Sequence, residues 1–200
     1  MQRVLICSAI ALMWAANAAA DSPNLKGAYA FTGTEACLVA PNSFNANLTP
    51  VDDQIYSESA SVEGVRTFNG DGTGTVRATT VSVIVPPTPG SPIAGAHGGS
   101  SSVSYSFSYT VEPDGTFTTD VVTGSFMGTQ LTGPDAGATF TINNFPQLTG
   151  MIGDNAKTLT LATLVPTVET VVFAPPHYSP YPRICHRSRV LIAIGERQRW

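Results

Sequence analysis

Few residues in this chain have types and spacing that suit chemistry. Its three histidines, His97, His177 and His186, fall in or beside long, turn-rich segments. Three imidazoles are enough to hold Zn²⁺ or Cu²⁺. Their spacing matches no metal signature, however, and no acid stands near them in sequence, so solvated histidines are expected and no metal. A serine hydrolase needs an elbow of the form G-x-S-x-G; Gly124-Ser125-Phe126-Met127-Gly128 lacks that spacing. Asn69-Gly70-Asp71-Gly72-Thr73 is rich in oxygen ligands, but the calcium-loop pattern is not met, and a hairpin turn is the expected reading. Arg66 and Arg77 would clamp an anion only from one face, and the register derived below puts them on opposite faces. No catalytic constellation emerges, and no cofactor is expected.

What remains is an aromatic stripe, Tyr105, Phe107, Tyr109 and Phe117. Inside a small barrel such a stripe either fills the core or lines a cavity for one small ligand. These four residues are the candidate ligand-binding set.

The elements that must position them follow from composition. The 200 residues are 42% hydrophobic but only 12% charged, with 18 Gly and 15 Pro. The ordinary charged share is about a quarter, so long charge-laced helices and nucleic-acid grooves are excluded, the latter also by a net charge of -4. Short extended segments joined by turns are the alternative. Charge is unevenly placed: residues 21–182 carry four bases against 13 acids, or -9. The last 18 residues carry Arg183, Arg187, Arg189, Arg197 and Arg199 against Glu196, or +4. The expectation for this basic segment is a solvated strand edge balancing an acidic body.

Residues 1–20 form a secretory leader. Met1-Gln2-Arg3 is a short basic start, Val4 to Ala16 an apolar run of 13 residues, and Ala18-Ala19-Ala20 a small-residue cleavage site. No other stretch approaches 18 apolar residues, so no transmembrane helix is expected. The chain is therefore read as exported, periplasmic or extracellular, with one domain over 21–200. Its oligomeric state stays open. Removal of the leader takes Cys7 with it and leaves Cys37 and Cys185, an even pair that an oxidising compartment converts to a disulfide.

Period-2 alternation is clearest from Ser104 to Val111, aromatic and apolar on one face and hydroxyl on the other. Pro113-Asp114-Gly115 then fits a three-residue hairpin loop with Gly115 at positive φ. This loop pairs Val111 with Phe117 and Phe107 with Val121; a two-residue turn would set Asp120 on the apolar face. The core Asp-Gly-Thr-x-Thr recurs at Asp71, where the same register sets Phe68 opposite Gly74. Strands are expected at 27–38, 55–68, 73–85, 103–112, 116–127, 138–152, 157–173 and 183–194. Pro146 and Pro166 demand breaks in the sixth and seventh. Loose connections fill 40–54, 86–102, 128–137 and 174–182, the second a candidate lid.

The sum is an all-β, eight-stranded antiparallel up-and-down barrel, with tight turns at one end and long loops at the other. In such a barrel the first and last strands are neighbours. Cys37 ends strand one and Cys185 begins strand eight, so a disulfide would staple the closing seam at its mouth. An outer-membrane barrel fits poorly, because Glu196 and Gln198 occupy alternate positions where a lipid-facing strand is apolar.

This architecture resembles the lipocalin or calycin superfamily. Gly27-Ala28-Tyr29 is similar to that family's Gly-x-Trp signature, with Tyr in place of Trp. The resemblance implies an arginine of the last strand, Arg187 or Arg189, packed over that ring. Thr67 to Gly74 and Tyr109 to Thr116 also resemble segments of small exported bacterial proteins. The functional expectation is a binding module for a small apolar or aromatic molecule at the long-loop end. Two alternatives stand beside it: a solid-core structural or interaction protein, and a cofactor-free cyclase or isomerase with a dry pocket.

The disulfide is testable directly. Alkylation of the denatured, unreduced mature protein should label no thiol, and reduction should expose two. Closing a loop of about 150 residues is worth on the order of 4–5 kcal/mol in the chain-entropy account, so reduction should also lower the melting temperature.

Overall fold

The computed structural model describes residues 25–85, 96–175 and 180–195. The expected leader at 1–20, most of the candidate lid, His177 and residues 196–200 lie outside the described residues. Among the described residues there are eleven strands: β1 Lys26–Val39, β2 Tyr56–Asn69, β3 Thr73–Val85, β4 His97–Val111, β5 Thr116–Val121 and β6 Met127–Thr132. β7 Thr139–Asn143, β8 Leu148–Gly153, β9 Thr158–Ala162, β10 Val168–Phe173 and β11 Tyr181–Ala193 complete the set. Every pairing is antiparallel. No helix among these residues is long and apolar enough to cross a membrane.

Eleven strands make eight staves. β1–β2–β3–β4–β5–β8–β9–β11 closes into a ring through β1–β11. At the other end β4 pairs β6, β6 pairs β7, β7 pairs β10 and β10 pairs β11, so the ring again has eight members. The long strands β4 and β11 each serve both rings: Phe107 to Val111 pairs β5, while Ser100 to Ser104 pairs β6. Three expected staves are therefore broken in two, as β5/β6, β7/β8 and β9/β10. Pro146 and Pro166 fall in two of the breaks, since proline has no N–H for the ladder. Gly124, at φ 76°, lies in the third. There the Ser125 hydroxyl mends the ladder, accepting the Ser106 N–H at 3.1 Å and donating to the Val122 carbonyl at 2.7 Å.

Two expected loops are shorter than their composition suggests. Residues 97–102 belong to β4 and 128–132 to β6. Their Gly, Ser and Thr carry no apolar alternation, yet Ser100 to Ser102 pairs β3 on one side and β6 on the other. Ladder hydrogen bonds from both neighbours hold what side-chain burial does not.

The expected hairpin register is present: Phe107 pairs Val121, Val111 pairs Phe117 and Phe68 pairs Gly74. Gly72 and Gly115 both sit at φ 84°, in the left-handed region where a side chain is strained. Each turn is closed alike. Asp114 Oδ1 accepts from the Thr116 amide and hydroxyl at 2.9 and 2.6 Å, and Asp71 Oδ1 from those of Thr73 at 3.0 and 2.6 Å.

The tight-turn half of the lumen is packed solid. Tyr29, Phe68, Phe107, Tyr109, Phe117, Leu148, Leu159, Leu161 and Leu191 form one buried cluster. Phe68 sits at its centre, meeting Tyr29, Phe107, Tyr109 and Phe117 edge-on at 5.1–6.1 Å, the geometry that aromatic quadrupoles favour. The two tyrosine hydroxyls are satisfied at the rim, Tyr29 on the Ala156 carbonyl at 2.8 Å and Tyr109 on that of Leu25 at 2.6 Å. The ring that covers Gly74 is that of Phe107, its partner on β4, so any Cβ at position 74 would collide with it.

Gly74→Ala should therefore overpack the floor and cost about 1–3 kcal/mol, read as a shift of the urea unfolding midpoint at constant slope.

Candidate functional site

The inward face of β11 is set by parity. Arg183, Cys185, Arg187, Arg189 and Leu191 are buried, whereas His186, Ser188, Val190 and Ile192 are exposed. The expectation of a solvated basic edge is thus overturned for Arg183, Arg187 and Arg189. Burial of an unpaired charge is too costly to occur alone, and register supplies the partners. Cys37 lies opposite Cys185 and is bonded to it, with Cα atoms 4.1 Å apart. Glu35 lies opposite Arg187 on β1, Glu58 opposite Cys37 on β2, and Glu169 opposite Arg183 on β10.

The six charges form an alternating chain. Arg183 reaches Glu58 at 2.8 Å and Glu169 at 2.7 Å. Arg187 reaches Glu169 at 2.5 Å and Glu35 at 3.3 Å, and Arg189 also donates to Glu35. Arg189 lies across Gly33, where a Cβ would strike it, and also donates to the Thr34 carbonyl at 2.8 Å. The chain straps β2, β1, β11 and β10 together beside the disulfide. Burial pushes the Glu35 carboxyl up, but Arg187, Arg189 and Arg183 outweigh it and hold the pKa at about 2. Burial first, then Glu58, raises Tyr56 to about 12; Tyr181 is pushed up by the same two causes.

Between this chain and the packed floor stands a layer of rings delivered by the strand breaks. Phe126 comes from the β5/β6 break and Phe145 from the β7/β8 break. Tyr105 stacks on Phe126 at 5.5 Å, and Phe126 on Phe145 at 5.9 Å. The arginine–ring contacts differ from those the resemblance implies. Arg187 lies over Phe145 at 4.4 Å, and Arg66 over Phe107 at 4.3 Å, while Tyr29 packs on Phe68.

Above the ring layer the lumen is hollow. The free space is about 70 Å³, walled by Tyr105, Phe126, Phe145, Phe140, Phe173 and Tyr181, by Val62, Val76 and Val103, and by Glu35, Glu58, Arg183, Arg187 and Arg189. Drug-sized ligands occupy pockets of roughly 300–1,000 Å³, and a cavity needs roughly 10–15 Å³ to hold one water. Only a small molecule, or one end of a longer one, fits without movement.

Of the four expected ligand residues, Tyr105 alone is on this wall; Phe107, Tyr109 and Phe117 are in the packed floor. His97 opens β4, and His186 faces outward. Arg66 points inward and Arg77 outward, as the register requires. The stripe was expected to supply no charge, and it supplies none; the charges come from β1, β2, β10 and β11. Sequence reasoning missed the ion chain, Phe126, Phe140, Phe145, Phe173 and Tyr181. Parity could have found the ion chain in part, because Glu35 lies two residues from Cys37 while Arg183 and Arg187 flank Cys185 at two.

In comparisons with known proteins, the chain matches no family model, no curated sequence and no solved structure. The class that fold and cavity define is an eight-stave antiparallel barrel, solid at one end and hollow at the other.

A depressed Glu35 pKa has a pH signature. Its contribution is fully present above the ordinary value of 4.5 and is lost as pH falls toward about 2. The amount is on the order of 3 kcal/mol, at about 1.4 kcal/mol per pKa unit. Unfolding free energy measured from pH 6 to pH 2 should fall steeply below 4.5, and Glu35→Gln should flatten that limb while lowering stability at pH 6.

Proposed function

We propose that the protein is an exported barrel that takes a small molecule, or one end of a longer one, into the cavity between the ring layer and the long-loop mouth. Export rests on the leader-like first 20 residues, and a lipocalin-like mode of binding on the resemblance at Gly27 to Tyr29. The observation that carries the reading is the change in packing along the lumen: solid from Phe117 to Phe107, hollow above Tyr105. Wall aromatics favour a flat or apolar body, and the β1–β2 and β6–β7 connections, residues 40–55 and 133–138, lie at the open end, where binding residues usually gather over a rigid scaffold.

A second reading has an observation of its own. Three of the four stripe residues fill the floor, as a purely structural barrel requires. The cyclase or isomerase reading has less behind it, since Glu35, Glu58 and Glu169 are each already paired with arginine.

Native mass spectrometry of the purified protein, followed by melting with and without phenol, separates the two. A co-purified adduct, or a melting temperature raised by several degrees at saturating phenol, is expected. A ligand at about 100 times its Kd adds about 2.7 kcal/mol. Val103→Phe, which places a ring in the cavity, should abolish the phenol effect. A protein with no adduct and no response to phenol is a solid scaffold.

A further inference from the structure

The buried charges of the lumen do not balance. Glu35, Glu58 and Glu169 face Arg183, Arg187 and Arg189, and these six neutralise one another. Arg66 is a seventh charge, 4% exposed, on the inward face of β2. Its acceptor is the neutral Tyr105 hydroxyl, 3.1 Å from Nη2, and its Nη1 has no hydrogen-bond partner among the described residues. The Phe107 face at 4.3 Å offers it only a quadrupole, which compensates a small part of a buried cation's lost hydration. Among the described residues, one positive charge is left over.

The cavity offers a donor of matching kind. Arg187 lines it, is fully buried, and spends Nη2 on Glu169; its Nη1 is buried without a hydrogen-bond partner among the described residues. Tyr105 joins the two features, with its ring on the cavity wall and its hydroxyl on Arg66. A free guanidinium donor on the wall of one small, ring-lined space, and an uncompensated charge behind the Tyr105 of that wall, call for a single negative charge with two acceptor oxygens. The space of about 70 Å³, walled in part by Phe140, Phe173 and Tyr181, takes the charged end, and the rest of a longer ligand must extend beyond it toward the mouth.

We infer that the ligand of this cavity is an amphipathic monocarboxylate, its carboxylate on Arg187 Nη1 and its charge balanced by Arg66. The inference rests on the binding reading above and names the chemical class of what is bound. No bond is made or broken.

Hexanoate and 1-hexanol differ only in the charged end, and calorimetric titration of each into the purified protein reads the inference directly. Hexanoate should bind at least about tenfold more tightly than 1-hexanol. Equal affinities overturn the anion assignment while leaving the binding reading intact. No binding of either, together with no response to phenol, overturns the binding reading itself. Arg66→Gln keeps a donor for Tyr105 and removes the surplus charge, so the hexanoate-to-hexanol ratio should fall toward one. A ratio kept by a folded Arg66→Gln protein overturns the role given to Arg66. The wild-type ratio stands whether or not that variant folds.

Discussion

Three arginines on the last strand must be neutralised inside the barrel before the barrel can close. β11 presents Arg183, Arg187 and Arg189 to the lumen because Cys185 shares their parity and is tied to Cys37. Taking these guanidinium groups out of water costs several kcal/mol each, and only well-aligned carboxylates repay it. Glu35, Glu58 and Glu169 come from β1, β2 and β10, the strands that flank β11 and the strand beyond β1. The seam therefore reports its own register. A slip of one residue would turn every arginine outward and strand three carboxylates in the lumen.

The hollow of the barrel follows from where its staves break. A continuous β5/β6 or β7/β8 stave would keep strict alternation, and Phe126 and Phe145 would take the places that period-2 geometry allots them. Gly124 and Pro146 release that constraint, and both rings turn onto Tyr105. They roof the packed floor and so set the depth of the cavity. Small residues work with these rings. Gly74 admits Phe107, Gly128 admits Phe140 and Gly150 admits Phe117, so ring packing is bought with side-chain-free strand positions.

Charge and ring packing meet at two arginines that differ in their company. Arg187 lies within the ion chain and over Phe145. Arg66 lies outside that chain, against Phe107 and Tyr105, and burial lowers its pKa, with Arg189 adding repulsion. A fold built for stability alone gains nothing from an unpaired buried cation. Its position behind a cavity-lining tyrosine ties it to the hollow half of the lumen.

The sequence by itself determined the eight staves, the hairpin registers and the seam. These rest on local rules: period-2 alternation, an Asp-Gly turn that tolerates one loop length, prolines that break ladders, and two cysteines with one possible pairing. It did not determine which face of β11 is inside. Val190, Ile192 and Ile194 alternate as plausibly as Cys185, Leu191 and Ala193, and arginine on a strand ordinarily faces water. Only the closed ring sets Glu35 opposite Arg187 and Glu169 opposite Arg183, with 152 and 14 residues of separation that no local pattern spans. The breaks hid Phe126 and Phe145 for the same reason. Where a ladder is interrupted, side-chain direction is no longer periodic, and tertiary packing alone decides it.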